Sequence, residues 1–363
     1  DETRTWGPPF IKDVEGGETT ESGYYLSANR NKRSVTINIA KPKGAALVRK
    51  MLTGCDVLIE NFRVGGLAKY GLAYDDLKND FPGLVYCSIT GFGQTGPYAT
   101  RPGYDMMAQG MGGLISITGE SDRAPVKVPI AVNDVMTGMY AAVAILAALR
   151  YRDANSKGQY IDLGLLDVQV AWLYNQGLNY LTDGQVPQRL GTAHPNTVPY
   201  QAFETADGFI IVAANNDEQF KRFCEFASCK ELLGDPKFAT NPDRVRNRDH
   251  VAATLAAIIK KHPSQYWIEG LERAEVSCCP INTLDQVFDD PAVLARGMKI
   301  SMPHPLAGND AVDLIGNPIK LSETPPTYRR PPPTMGQHTD EVLEEVLGLS
   351  EDEINDLRIG GLI

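Results

Sequence analysis

Hydrophobic and polar positions change period several times along this chain. Ser34 to Ile39 alternates as a strand does, Lys43 to Leu52 carries apolar residues at helical spacing and stops at Gly54, and Asp56 to Glu60 is expected as a short buried strand. Asp75-Asp76 lead a helical turn, and Leu84 to Ile89 is strand-like again. Strand, helix, strand, helix, strand predicts a parallel sheet covered by helices, an α/β fold. A glycine-rich region follows from Gly91 to Gly119. A helix rich in Ala, Val and Leu is expected from about Asn133 to Arg150, and a strand over Tyr160 to Leu163 feeds a further helix near Val168. From Thr182 to Pro199 turn residues dominate, which marks an exit from the first lobe. Gln201 to Thr205 and Phe209 to Ala213 flank Ala206-Asp207-Gly208 and predict a hairpin, with helices continuing to about Pro280. Pro325 to Pro333 is a Pro-rich link, and Thr339 to Leu347 a final acidic helix.

At 363 residues the chain exceeds the size at which single cores usually stop growing, so two lobes are expected. A net charge of -10 disfavours binding to nucleic acid, because phosphate neutralisation needs a basic surface. An anionic ligand then requires a local cationic cluster. Asn29-Arg30-Asn31-Lys32-Arg33 is one candidate, readable equally as a solvated loop. The longest apolar run, Tyr140 to Leu149, stops at Arg150, falls short of the ~20 residues that span a bilayer, and reads as a core helix. The six cysteines form no C-x-x-C, so reduced thiols in an intracellular compartment are expected. No cleavable targeting segment is expected before Asp1, and the opening run Asp1 to Phe10 reads as the middle of a domain.

Gly91-Phe92-Gly93-Gln94-Thr95-Gly96 matches G-x-G-x-x-G, but Pro97 and Pro102 prevent a helix from opening there, so a nicotinamide site is not expected. The five histidines make no ligand pairs and no metal is expected; a G-x-S-x-G elbow is lacking too. Asp167 draws the eye because it is the one acid in the run Leu163 to Leu173. Such a run should be buried, where an ionised carboxylate costs several kcal/mol, on the order of that figure even after relaxation. Either Asp167 caps the helix that follows, or it is a carboxylate held in a partly dry site as nucleophile or base.

Taken together, several segments resemble the class III CoA transferases, the family of formyl-CoA transferase. They are Asn31-Lys32-Arg33-Ser34, Glu60-Asn61-Phe62-Arg63, Ser88 to Pro97, Gly103-Tyr104-Asp105, Gly158-Gln159-Tyr160-Ile161-Asp162 leading to Asp167, and Gly336-Gln337-His338-Thr339. Thr3 to Pro9, Gly191 to His194 and Val198 to Phe203 are similar to its dicarboxylate branch. The resemblance implies an interlocked homodimer. Each chain would have a Rossmann-like large domain over residues 1–188 with a parallel sheet, a smaller α+β domain over 189–300, and a C-terminal return to the large domain over 301–363. It also implies transfer of CoA from succinyl-CoA, or a similar acyl-CoA, to a short dicarboxylate such as glutarate, hydroxymethylglutarate or itaconate. Acyl-CoA and a carboxylic acid would be the substrates, with no permanently bound cofactor, no metal, no nucleic acid and no membrane partner. The mitochondrial matrix is favoured because relatives reside there.

By the same resemblance Asp167 is the nucleophile, forming an anhydride and then an aspartyl-CoA thioester. Ile37, Asn38 and Ala40, then Asn61, Phe62 and Arg63, match stretches lining the CoA site, and Lys69 stands where a phosphate is met. Pro102, Gly103, Tyr104 and Asp105 match a segment near pantetheine and nucleophile. Arg189, His194 and Asn196 fall at a mobile glycine-rich loop of formyl-CoA transferase; here the segment is not glycine-rich, and it is expected to line the acyl pocket, with Arg189 or His194 pairing with a second substrate carboxylate. Relatives carry some forty residues before the segment matching Asp1, so the chain is expected to be a fragment. Two rival readings are a 2-methylacyl-CoA racemase, which needs a histidine well before its Asp where this chain has none before His194, and an inactive acyl-CoA-binding protein.

Overall fold

The computed structural model describes residues 1–363. Ten strands occur: β1 (Phe10–Lys12), β2 (Glu18–Ser22), β3 (Val57–Glu60), β4 (Val85–Thr90), β5 (Tyr160–Gly164), β6 (Tyr200–Glu204), β7 (Phe209–Ala213), β8 (Ser277–Pro280), β9 (Lys299–Pro303) and β10 (Ala311–Ile315). The chain gathers into two compact units. One comprises residues 1–56, 67–82 and 282–363, the other residues 57–66 and 83–281.

The first unit holds the antiparallel hairpins β1–β2 and β9–β10. Ile11, Tyr25, Leu26, Met302, Val312 and Leu314 share one core there. Arg4 is fixed in it by the Glu21 carboxylate, at 2.6 and 2.7 Å, and by the Pro333 carbonyl and the Tyr25 hydroxyl. The helices Pro42–Met51, Thr339–Leu347 and Glu351–Ile359 are the longest of this unit, the last of them lying beyond the helix expected to be final. Ser34 to Ile39, expected as a strand, forms no ladder. Its polar groups are taken up singly, Ser34 N–H by His338 Nδ1, Thr36 N–H by Thr339 Oγ1 and Asn38 N–H by the Leu362 carbonyl, so alternation was present without a neighbouring strand to use it.

The second unit is built on the parallel sheet β3-β4-β5. Its middle strand is buried over Val85-Tyr86-Cys87-Ser88, as expected for a strand covered on both faces. β5 comes close to β4 because Gly158 lacks a side chain: a Cβ there would stand 2.0 Å from the Leu84 carbonyl oxygen. The antiparallel sheet β6-β7-β8 packs Phe203, Ile210 and Val212 against the helices Asp217–Phe226, Arg248–Ile259 and Ser264–Arg273, around Phe220, Phe223, Leu255 and Trp267. The predicted 201–213 hairpin is the first part of this sheet.

The helix expected from Asn133 to Arg150 runs over Val132–Asn155. It is not a core helix within this chain. Val135, Met139, Val143 and Leu146 are exposed, and by length and composition alone it is long and apolar enough to cross a membrane, correcting the expectation that no stretch approached that length. The sequence count stopped at Arg150, which lies within the helix rather than ending it. The helix packs on β4 and β5 through its buried side, where Asn133, Thr137, Ala141 and Ala148 lie.

Candidate active site

In an open parallel sheet, ligands meet the loops that leave the carboxyl ends of the strands. Here the register aligns Glu60 of β3, Ser88 of β4 and Asp162 of β5 in one row near that edge. The loop after β4 crosses the segment Pro102–Asp105 at Gly91 and Gly103, where a Cβ on either would approach the other's Cα to 2.5 Å or less. Gly93 adopts φ +81°, a conformation that favours glycine. The glycines of the tempting dinucleotide motif thus serve a backbone crossing, and the next helix opens only at Asp105.

Asp105 and Asp134 form a pair of carboxylates on two helix starts. Asp134 lies in the first turn of Val132–Asn155, whose cap residue Ala131 supplies no side-chain acceptor. Asp105 fills that role from the helix Asp105–Met111: its carboxylate accepts from Asn133 N–H at 2.8 Å and Asp134 N–H at 3.3 Å. Gln109 Nε2 donates to the other oxygen at 2.6 Å, and its Oε1 accepts from Val128 N–H. Asn133 is buried and donates through Nδ2 to the Leu165 carbonyl at 3.0 Å, which ties this helix start to the helix Leu165–Ala171. Asp134 is reached by solvent yet crowded by protein. Desolvation, with the Asp105 charge adding to it, raises its carboxyl to about 6.

Asp167 differs from the sequence expectation in two respects. It is exposed, not buried, and it lies inside the first turn of Leu165–Ala171 with Gly164 at the cap position, so it is not the capping residue. Its run turns outward because Val170, Trp172 and Tyr174 are exposed as well. The carboxylate lies over Gly164 and Gly93, whose Cβ atoms would stand 3.0 and 3.8 Å from Oδ2.

The residues expected around CoA fall in both compact units. Ile37, Asn38, Ala40 and Lys69 belong to the first. There the Asn38 side chain accepts from Ala40 N–H at 3.1 Å, its carbonyl leaves no room for a Cβ on Gly44, and Lys69 Nζ lies 4.7 Å from the Tyr70 ring centre. Asn61, Phe62, Arg63, Pro102, Gly103, Tyr104 and Asp105 belong to the second. Asn61 Nδ2 donates to the Ile89 carbonyl at 2.7 Å, Phe62 N–H to Glu60 at 2.7 Å, and Phe62, Arg63 and Tyr104 are exposed. Within the basic cluster, Arg33 is already paired with Glu341 and Glu345 of the acidic helix, Lys32 donates to Asn29, and burial lowers the Lys32 ammonium.

Arg189 clamps a turn: its guanidinium donates to the carbonyls of Glu120, Ser121 and Arg123. The segment around His194 and Asn196 is pinned. Arg248 donates to the His194 and Pro195 carbonyls at 3.1 and 2.6 Å, Asn241 Nδ2 to the Asn196 carbonyl, and His194 stacks on Tyr200 at 5.2 Å. Asn196 N–H donates to His194 Nδ1, and burial together with the Arg248 charge lowers the imidazole, so the neutral ring carries its proton on Nε2.

The family model described as CoA-transferase family III matches residues 1–339. The chain belongs to this family. It is 45% identical over 348 residues to succinate–glutarate CoA-transferase of Agrobacterium fabrum, covering 95% of this chain and 86% of that protein. It is 41% identical over its whole length to succinyl-CoA:glutarate CoA-transferase of Homo sapiens, 81% of which is covered. A crystal structure of a CAIB/BAIF family protein from Brucella suis superimposes with a TM-score of 0.81 at 44% identity, covering 95% of this chain and 89% of that one.

For this family III CoA-transferase, the sequence expectations did not name Asp134, the second member of the carboxylate pair. The signal was available: an acid in the opening turn of the longest apolar helix is the same feature that singled out Asp167. What the sequence lacked was the second carboxylate, since Asp105 is 29 positions away and meets the helix start only in three dimensions.

Proposed function

We propose that this enzyme moves CoA from succinyl-CoA to glutarate or a similar short dicarboxylate, with Asp134 as the attacking carboxylate and Asp105 as its positioning partner. Asp134 attacks the thioester carbonyl, expelling CoA thiolate and leaving a mixed anhydride. The thiolate then attacks the aspartyl carbonyl, releasing succinate and forming an aspartyl-CoA thioester. The acceptor carboxylate displaces the thiolate to give a second anhydride. Thiolate attack on its acceptor carbonyl yields the new thioester and restores Asp134. Each step exchanges one activated acyl group for another, so no ATP is consumed. CoA thioesters are substrates in this scheme and not resident groups.

The observation that supports Asp134 most is its carboxyl, raised to about 6 beside Asp105, since strongly perturbed acids concentrate where chemistry is done. Asp167 is kept as the second reading, because its carboxylate also faces the carboxyl edge of the parallel sheet beside Gly93 and Gly164. Incubation with succinyl-CoA, trapping with hydroxylamine or borohydride and peptide mass spectrometry separates them. Modification at position 134 that persists in Asp167→Ala and vanishes in Asp134→Ala is expected; modification at 167 overturns the assignment.

Asn61, Phe62 and Arg63 are proposed as CoA contacts in the second unit, with Pro102 to Asp105 along pantetheine; Ile37, Asn38, Ala40 and Lys69 are proposed as CoA contacts offered by the first. His194 and Asn196 are proposed for the acceptor pocket, with Nε2–H of His194 as a neutral donor; Arg189, committed to backbone carbonyls, is the weaker of the three candidates. The exposed apolar residues of Val132–Asn155 and Tyr174–Asp183 support an interlocked dimer of two such chains. Boundaries near residues 188 and 300 and a mitochondrial matrix location belong to the same proposal, the latter checked by fractionation.

A further inference from the structure

Glu60, Ser88 and Asp162 occupy one row across the parallel sheet; Ser88 is joined to Glu60 directly and to Asp162 through Gln94. Ser88 is fully buried. Its hydroxyl donates to Glu60 Oε1 and accepts from Gln94 Nε2 at 2.7 Å. The other Glu60 oxygen accepts from Phe62 N–H at 2.7 Å, which sets the turn Asn61-Phe62-Arg63. Gln94 N–H donates to Asp162 at 3.0 and 3.1 Å, so the same residue also anchors the loop after β4 to β5. That loop is the one crossing Gly103, two residues before Asp105. A serine hydroxyl with one donor and two acceptor sites is suited to such a junction, and the Tyr160 hydroxyl meets it as well.

We infer that Ser88 and Gln94 are positioning residues that hold the Asn61–Arg63 turn in register with the loop leading to Asp105, and so fix the nucleotide end of the CoA donor relative to the reacting thioester. This rests on the reading that Asn61 to Arg63 meet CoA at its nucleotide end, away from the pantetheine beside Pro102 to Asp105. Neither residue touches substrate. Losing the junction releases the turn, which weakens donor binding in ground and transition states alike while leaving the carboxylate pair intact.

Ser88→Ala is expected to raise KM for succinyl-CoA roughly tenfold, the loss typical of a charge-assisted hydrogen bond, and Gln94→Ala, which loses a neutral one, about threefold, with kcat and the glutarate KM unchanged in both. With succinyl-pantetheine, which lacks the nucleotide, variant and parent should give the same KM. Hydrogen exchange at the Phe62 amide should accelerate in both variants, and the Gln94 variant keeps β4 intact should the Ser88 variant fold poorly. Unchanged Phe62 exchange overturns the junction itself. Faster exchange with an unchanged succinyl-CoA KM, while Arg63→Ala raises that KM, overturns the role assigned to it. An unchanged KM in Arg63→Ala overturns the underlying reading of the turn as a CoA contact.

Discussion

At the scale of single residues, Asp134 carries the sharpest expectations. With its carboxyl raised to about 6, the ionised form that the proposed attack requires is lost as pH falls through that value, so kcat/KM should drop tenfold per unit below about pH 6. The profile of Asp105→Asn should break at lower pH, because a like charge has been removed, and that variant should also lose about 1 kcal/mol of stability as two helix amides exchange an ionised acceptor for a neutral one. The sign for folding is the reverse of the usual carboxylate. A raised folded-state pKa means the native protein holds the proton more tightly, so Asp134 destabilises progressively as pH rises from about 4 to 6 and fully above it. Asp134→Asn should therefore be more stable than the parent at pH 8, by less than about 1 kcal/mol given solvent screening, and equal to it at pH 3, which urea titrations at the two pH values will measure.

At the scale of elements, much was legible. The strands Val57–Glu60, Val85–Thr90 and Tyr160–Gly164, the helix Pro42–Met51 and the hairpin over 200–213 all lie within a few residues of their predicted bounds, because apolar period and turn residues are local signals. Ser34 to Ile39 was misread since a strand is defined by a neighbour, and period cannot supply one. Of the candidate site, a local motif put Asp105 among the expected residues, but its pairing with Asp134 was not legible, because that depends on Asp105 reaching a helix that starts 27 residues later. The glycine before β5 gives a test at this scale. Gly158→Ala should lower stability by about 2–4 kcal/mol, because the Cβ meets the Gly83 and Leu84 backbone that leads into the paired strand, whereas Gly54→Ala, with open space around it, should change Tm little.

At the scale of the whole molecule, the exposed stripe on Val132–Asn155 asks for cover. Val143 and Leu146 are 64% and 66% exposed, and apolar surface repeated along one long helix is unusual for a lone soluble chain. Sedimentation should give a dimer mass, and Val143→Asp with Leu146→Asp should shift it toward the monomer while far-UV circular dichroism stays unchanged. A monomeric parent enzyme would refute the dimer.

The pinned turn at His194 bears on how these enzymes diverge. On the proposal that this turn lines the acceptor pocket, and because Arg248 and Asn241 hold its carbonyls, a change of acceptor acid is not available through loosening the turn alone; new preferences would have to arise by exchanging what it displays. Descendants of this chain are thus expected to vary at positions 194 and 196 far sooner than at 241 and 248, and a library confined to the displayed pair is the economical route to an altered acid preference.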